Sequence, residues 1–189
     1  MTTPQSPVVS LPWRVLDDYR CFGCSPHNPF GLGLEFAEHP DGIVTSFRLG
    51  RGYESYPGVV HGGLLGVVCD ETMGNLIVLR TGLVAFTTGM RMRYLQPILV
   101  DETCTCVASL GAPGTDGQVM SARAEIFNSE GILVAASTAT YLRVPFSTTR
   151  DRISLDDEDA DRLNRALADA MFHPTQDHPP VQDHKGVQS

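Results

Sequence analysis

The chain has 189 residues, 42% of them hydrophobic, enough for one domain of roughly 100–200 residues and too few for a second full one. A formal net charge of -8 with only 14 Lys and Arg excludes a broad basic surface for nucleic acid or anionic membrane, so an anionic ligand must be held by a few local arginines. No apolar run is expected to reach the roughly 20 residues of a membrane span, no signal-peptide pattern opens the chain, and five scattered cysteines do not form a secreted disulfide framework. A soluble, cytoplasmic protein with reduced thiols is expected.

Residues 1–31, rich in Pro, Ser and Gly, read as an irregular lead-in with one helical turn near 13–19. "LGLEF" (32–36) and "IVTSFRL" (43–49) flank the turn signal "AEHPDG" and predict a hairpin. Residues 60–79 lack proline and are apolar on nearly every side, which predicts a helix buried all round, stopped at Thr81-Gly82. Four runs of strand character follow at 86–96, 102–110, 119–127 and 132–144, parted by turn chemistry. In the first of them Met90, Met92 and Tyr94 alternate with Arg91 and Arg93, predicting one buried and one polar face. This order implies an α+β fold, an antiparallel sheet wrapped around one long central helix.

Beyond Pro145, Ser154 reads as an N-cap, with Leu155, Leu163, Leu167, Ala170 and Met171 along one stripe of an added amphipathic C-terminal helix. The expected organisation is a lead-in (1–31), a core domain (32–145), a helical extension (146–172) and a disordered tail (173–189).

Two features of the central helix point to chemistry. Its first turn, "VVHGG", has no Ser, Thr, Asp or Asn beside it, so the N–H groups of Gly62 and Gly63 read as uncapped and able to polarise a ligand carbonyl, or else as a tight turn. Asp70 is a carboxylate in an apolar helix with Gly66 and Gly74 leaving space beside it, which suits a general base or nucleophile unless an arginine such as Arg91 or Arg93 pairs with it. Glu71 points about 100° away and shares a face with Asn75, where an ion pair or a rim position is the simpler reading. His61 is a general acid, a positioning donor or a plain structural group.

"GVVHGGLLGVVCDETMG", with His-Gly-Gly ahead of an Asp, followed by "TTGMRMRYLQPI" and preceded by "CFGCSPHNPFGLGLEF", closely resembles the hotdog-fold thioesterases of the PaaI-like (phenylacetate-pathway-like) superfamily over about residues 20–144. The resemblance implies homodimers or dimers of dimers with active sites between subunits, hydrolysing acyl-CoA or acyl-carrier-protein thioesters without a cofactor. It implies Asp70 as the acid that activates water or attacks the thioester, and Gly63, with Gly62 beside it, as oxyanion donor. A strand hydroxyl from the facing subunit, Thr87 or, one residue out of register, Thr88, positions the acid. Coenzyme A phosphates would be met by Arg91, Arg93 and Arg143, which equally serve as outward charges that keep strands soluble.

Three rivals stand beside this reading. Cys21, Cys24 and His27 include Cys-x-x-Cys spacing, but a fourth ligand is not evident nearby and no metal is expected. A hotdog protein that binds an acyl ligand without hydrolysing it, or assists a biosynthetic assembly, is the alternative function. A hydratase of the same fold, which would use an Asp and a His a few residues apart in one loop, is the third.

Overall fold

A 20-residue helix, α1 (Gly62–Thr81), forms where the sequence runs without proline, and it sits at the centre of the fold. The computed structural model describes residues 7–113 and 117–170; Met171 and the expected disordered tail lie outside the described residues. α1 begins and ends two residues later than the sequence predicts. It stops at Gly82, whose φ of 64° is left-handed and whose N–H donates to the Val78 carbonyl, a cap that glycine supplies without strain. Thr72 and Thr81 are accommodated because their hydroxyls donate back to the carbonyls of Val68 (2.6 Å) and Ile77 (2.7 Å). By length and composition α1 could cross a membrane, contrary to expectation; the sheet instead wraps it and buries 61% of its apolar window.

Six antiparallel strands make that wrap in the order β1-β2-β4-β5-β6-β3. They are β1 (Ala37–His39), β2 (Gly42–Arg48), β3 (Val84–Tyr94), β4 (Thr103–Pro113), β5 (Val119–Phe127) and β6 (Leu133–Val144). Leu65, Val68, Met73, Leu76 and Ile77 of α1 are at most 3% exposed and pack among Ile43, Cys106, Ile126 and Val134 of the strands. Each such aliphatic side chain contributes about 1.5–3 kcal/mol by leaving water.

Two strand expectations are corrected. The hairpin is present, with His39 opposite Gly42, but residues 32–36 are not its first strand. Their backbone is taken by the lead-in instead: the N–H groups of Leu32 and Leu34 donate to the carbonyls of Phe22 and Gly23. In β3 the expected buried face is largely open, since Met90 and Tyr94 are 41% and 55% exposed and only Met92 is half-buried. Met90 and Tyr94 do reach the start of α1, at Gly66 and Gly62. But β3 is an edge strand bonded among the described residues to β6 alone, with a bulge between Thr87 and Gly89, so their flanks beyond the helix stay open.

The C-terminal helix α2 (Asp157–Asp169) is capped by Asp156, whose side chain accepts from the Asp159 N–H, rather than by Ser154. It buries Ala160, Leu163 and Leu167 against Leu16, Val78, Val84 and Phe146, closing the end of the fold where α1 stops. Leu163 is fully buried there. Leu163→Ala is expected to lower unfolding free energy by about 2–5 kcal/mol, measured by urea denaturation; a loss below about 1 kcal/mol would show that α2 does not hold the core.

Candidate active site

Asp70 is half-buried in the third turn of α1, and its Oδ1 accepts two hydroxyl hydrogen bonds. Thr87 Oγ1 donates from β3 at 2.7 Å and the Tyr141 hydroxyl donates from β6 at 2.9 Å. Thr87 and Tyr141 stand opposite each other in the β3–β6 ladder, so strand register delivers both to one carboxylate oxygen. The Thr87 that reaches Asp70 belongs to the same chain, which corrects the expectation of a hydroxyl from the facing subunit. Thr88 points the other way and bonds Thr140, because consecutive strand residues face opposite sides. Asp70 Oδ2 accepts no hydrogen bond among the described residues.

Tyr141 is the site residue that the sequence does not announce. It is fully buried, and its ring passes close over Gly74, where a β-carbon would stand 3.6 Å from it. Burial, and then the charge of Asp70, push its phenol well above the ordinary range, so it stays a proton donor. The signal that could have found it is its parity with the small residues Ala135, Ser137 and Ala139: a lone large polar-tipped ring among small inward residues needs a partner on the helix. Tyr141→Phe keeps the ring and deletes the donor. It is expected to cost about 1–3 kcal/mol in urea unfolding, and an unchanged midpoint would show that the bond adds nothing.

A cavity of about 150 Å³ adjoins Asp70, lined by Trp13, Tyr19, Glu71, Asn75, Thr87 and Tyr141 among others. Among the described residues Glu71 forms no ion pair, and it lies inside the fold rather than at a rim. Its Oε1 accepts from the Cys21 thiol at 3.0 Å and its Oε2 from Asn75 Nδ2 at 3.1 Å. Burial, and then the sulfur of Cys21, push its carboxyl up to about 8. Asn75 also accepts from the Trp13 indole N–H at 3.3 Å, tying the lead-in to the helix.

The start of α1 differs from expectation. His61 is the N-cap, and its Nδ1 accepts the Gly63 N–H at 3.0 Å, so the turn is capped by a residue type outside the usual set. Gly62 is held on its other side by the Tyr94 hydroxyl, which donates to the Gly62 carbonyl at 3.1 Å. Beside it an open groove of about 410 Å³ is lined by Tyr56, Val59, Leu65, Tyr94 and Leu95.

The arginines are not brought to Asp70. Arg91 and Arg93 pair with Thr138 and Ala136 on the outer face of the sheet, where they line a separate hollow with Arg123 and Glu125. Arg143 donates to the carbonyls of Gly117 and Gln118 and braces the start of β5.

The thioesterase superfamily model matches residues 57–135, from the residues ahead of α1 through β3, β4 and β5 into β6. Over these residues the chain is similar to the thioesterase superfamily, and its fold is the hotdog fold. A hypothetical thioesterase protein from Streptococcus pneumoniae, solved with coenzyme A, shares 27% identity with this hotdog domain over 59% of the chain and 85% of its own, at a TM-score of 0.53. The PaaI protein of the E. coli phenylacetic acid degradation operon shares 21% over 60% of this chain and 80% of its own, at 0.54. A Streptococcus mutans protein bound to acetyl CoA shares 20% over 68% and 95%, at 0.55. The last two show likeness of fold. No curated protein matches the chain.

Proposed function

We propose that this hotdog protein hydrolyses acyl thioesters of coenzyme A or of an acyl carrier protein, as a cytoplasmic homodimer or dimer of dimers. The observation that carries the reading is Asp70: one oxygen is fixed by Thr87 and Tyr141, and the other is left to act on water or on the thioester carbonyl. The coenzyme A bound in the Streptococcus pneumoniae relative supports the substrate class. Five free cysteines support a reducing compartment.

The geometry of α1 supports assembly. Asp70 and Gly63 are seven residues apart, about 10 Å at 1.5 Å per residue. Helical N–H groups in the first turn point out of the N-terminal end, so the Gly63 N–H is directed away from the Asp70 carboxylate of its own helix, which favours a thioester that draws acid and donor from different chains. In this proposal the acid of one chain meets the Gly63 N–H of its partner. The long open edge of β3, with Phe86, Met90, Tyr94 and Leu95 exposed, supports edge-to-edge pairing of two chains.

His61 has a role in this scheme. Its exposed imidazole satisfies the Gly63 N–H until a carbonyl oxygen replaces it, and giving up that bond costs about 0.5–1.5 kcal/mol. The test is thiol release from phenylacetyl, benzoyl, short-chain and long-chain acyl-CoA by the full chain. Release from none of them or from an acyl carrier protein, with the protein folded and oligomeric, would overturn hydrolysis in favour of acyl binding alone.

A further inference from the structure

The lead-in carries a cluster that thioester chemistry does not use. Cys21 Sγ, Cys24 Sγ and a Glu71 carboxylate oxygen all lie within 4.8 Å of one another, although Cys21 and Glu71 are 50 residues apart in the chain. Cys24 is 1% exposed. The Tyr19 hydroxyl lies 3.3 Å from Cys24 Sγ and adds a fourth polar atom.

The loop is shaped around this meeting point. A β-carbon on Gly23, between the two cysteines, would overlap Glu71 Cγ and Cδ, so the carboxylate reaches the sulfurs only because residue 23 is glycine. The carbonyls of Phe22 and Gly23 are pinned by the N–H groups of Leu32 and Leu34, and the Ser25 N–H donates to the Cys21 carbonyl. On the opposite side Asn75 holds Glu71 Oε2. Second partners of this kind orient metal ligands.

The donor set points the same way. Two thiols and a carboxyl converge in a largely buried place, and among the described residues Glu71 forms no ion pair with Lys, Arg or His. A cation bound there would displace their protons and partner the sulfur and carboxylate charges so formed. Paired sulfur ligands with one carboxylate select zinc over magnesium or calcium, which take oxygen donors. Ligand atoms around tetrahedral zinc stand roughly 3.3–3.8 Å apart, so the observed 3.0 Å contact and 4.8 Å limit need only small side-chain movements to close on the ion.

We propose that Cys21, Cys24 and Glu71 form a zinc site that clips the lead-in to α1, with the Tyr19 hydroxyl or water completing four-coordination. Binding releases the two thiol protons and the proton that Glu71 carries at neutral pH, and the zinc–sulfur and zinc–oxygen bonds replace the Cys21–Glu71 hydrogen bond. Because Glu71 adjoins Asp70, the clip also fixes the wall of the cavity beside the acid.

Two measurements on the full chain test this. Protein produced with zinc in the medium and gel-filtered is expected to retain about one zinc per chain by elemental analysis. The reduced, chelator-stripped chain titrated with cobalt(II) is expected to show the thiolate-to-cobalt charge-transfer band and the visible bands of a tetrahedral ion. Cys24→Ser and Cys21→Ser should lose both signals, and Glu71→Gln should bind at least about tenfold more weakly. Chelation should lower Tm. The proposal is overturned if the wild-type chain, confirmed folded by circular dichroism, retains no zinc and gives no charge-transfer band, or if binding is unchanged in a folded cysteine variant. Should the cysteine variants not fold, the wild-type cobalt spectrum and Glu71→Gln decide it.

Discussion

Asp70→Asn is expected to slow thioester hydrolysis by about 10²–10⁴-fold, the usual contribution of a positioned acid or base. The substitution is nearly isosteric, and the amide oxygen can still accept from Thr87 and Tyr141, so α1 and the sheet should remain as they are. What disappears is the second carboxylate oxygen, which the amide nitrogen replaces with a donor of no nucleophilic or basic use. Thiol release measured beside circular dichroism separates chemistry from folding. Turnover within a factor of a few of the parent would remove Asp70 from the mechanism.

Gly63→Pro is expected to reduce turnover about 10²–10³-fold by deleting the N–H that would hold the oxyanion. Proline is tolerated in the first turn of a helix, where no intrahelical bond is lost, but here it also removes the cap bond to His61 and crowds its ring. Circular dichroism measured beside thiol release therefore separates the loss of chemistry from fraying of α1. Combining the two variants gives the sharper result. If each site draws its acid from one chain and its donor from the other, a mixed dimer contains one site with both Asp70 and Gly63 intact. Random reassortment makes about half of the dimers mixed, so about a quarter of wild-type turnover should return from two nearly inactive proteins. If the two residues served one site within a chain, mixing would restore nothing.

Much of this molecule is legible in its sequence, and the places where it is not share a physical cause. The central helix, its glycine stop and the acid within it follow from local composition, since an all-round apolar run has to be buried and a carboxylate inside it stands out. The four strands after it are marked by their turns. Residues that become neighbours only through strand order are harder to see. Tyr141 meets Asp70 across 71 positions because β6 lies beside β3, and Glu71 meets Cys21 across 50 because the lead-in folds back over the helix. Met90 and Tyr94 of β3 mislead because alternation reports which side of a strand is apolar, and says nothing of how fully the helix beneath covers it. His61 is hard to see as a cap because an imidazole nitrogen takes the place usually filled by an oxygen.

Trp13 is the chain's single tryptophan. Its ring stacks on Tyr19 at a centroid distance of 6.1 Å, its N–H is held by Asn75, and it lines the cavity beside Asp70. The protein therefore has one indole, and that indole borders the acid, the carboxyl of Glu71 and the phenol nearest the cysteines. Its emission reports on this one place without interference from any other tryptophan, so occupancy of the cavity and ordering of the lead-in can be followed optically in the unlabelled protein.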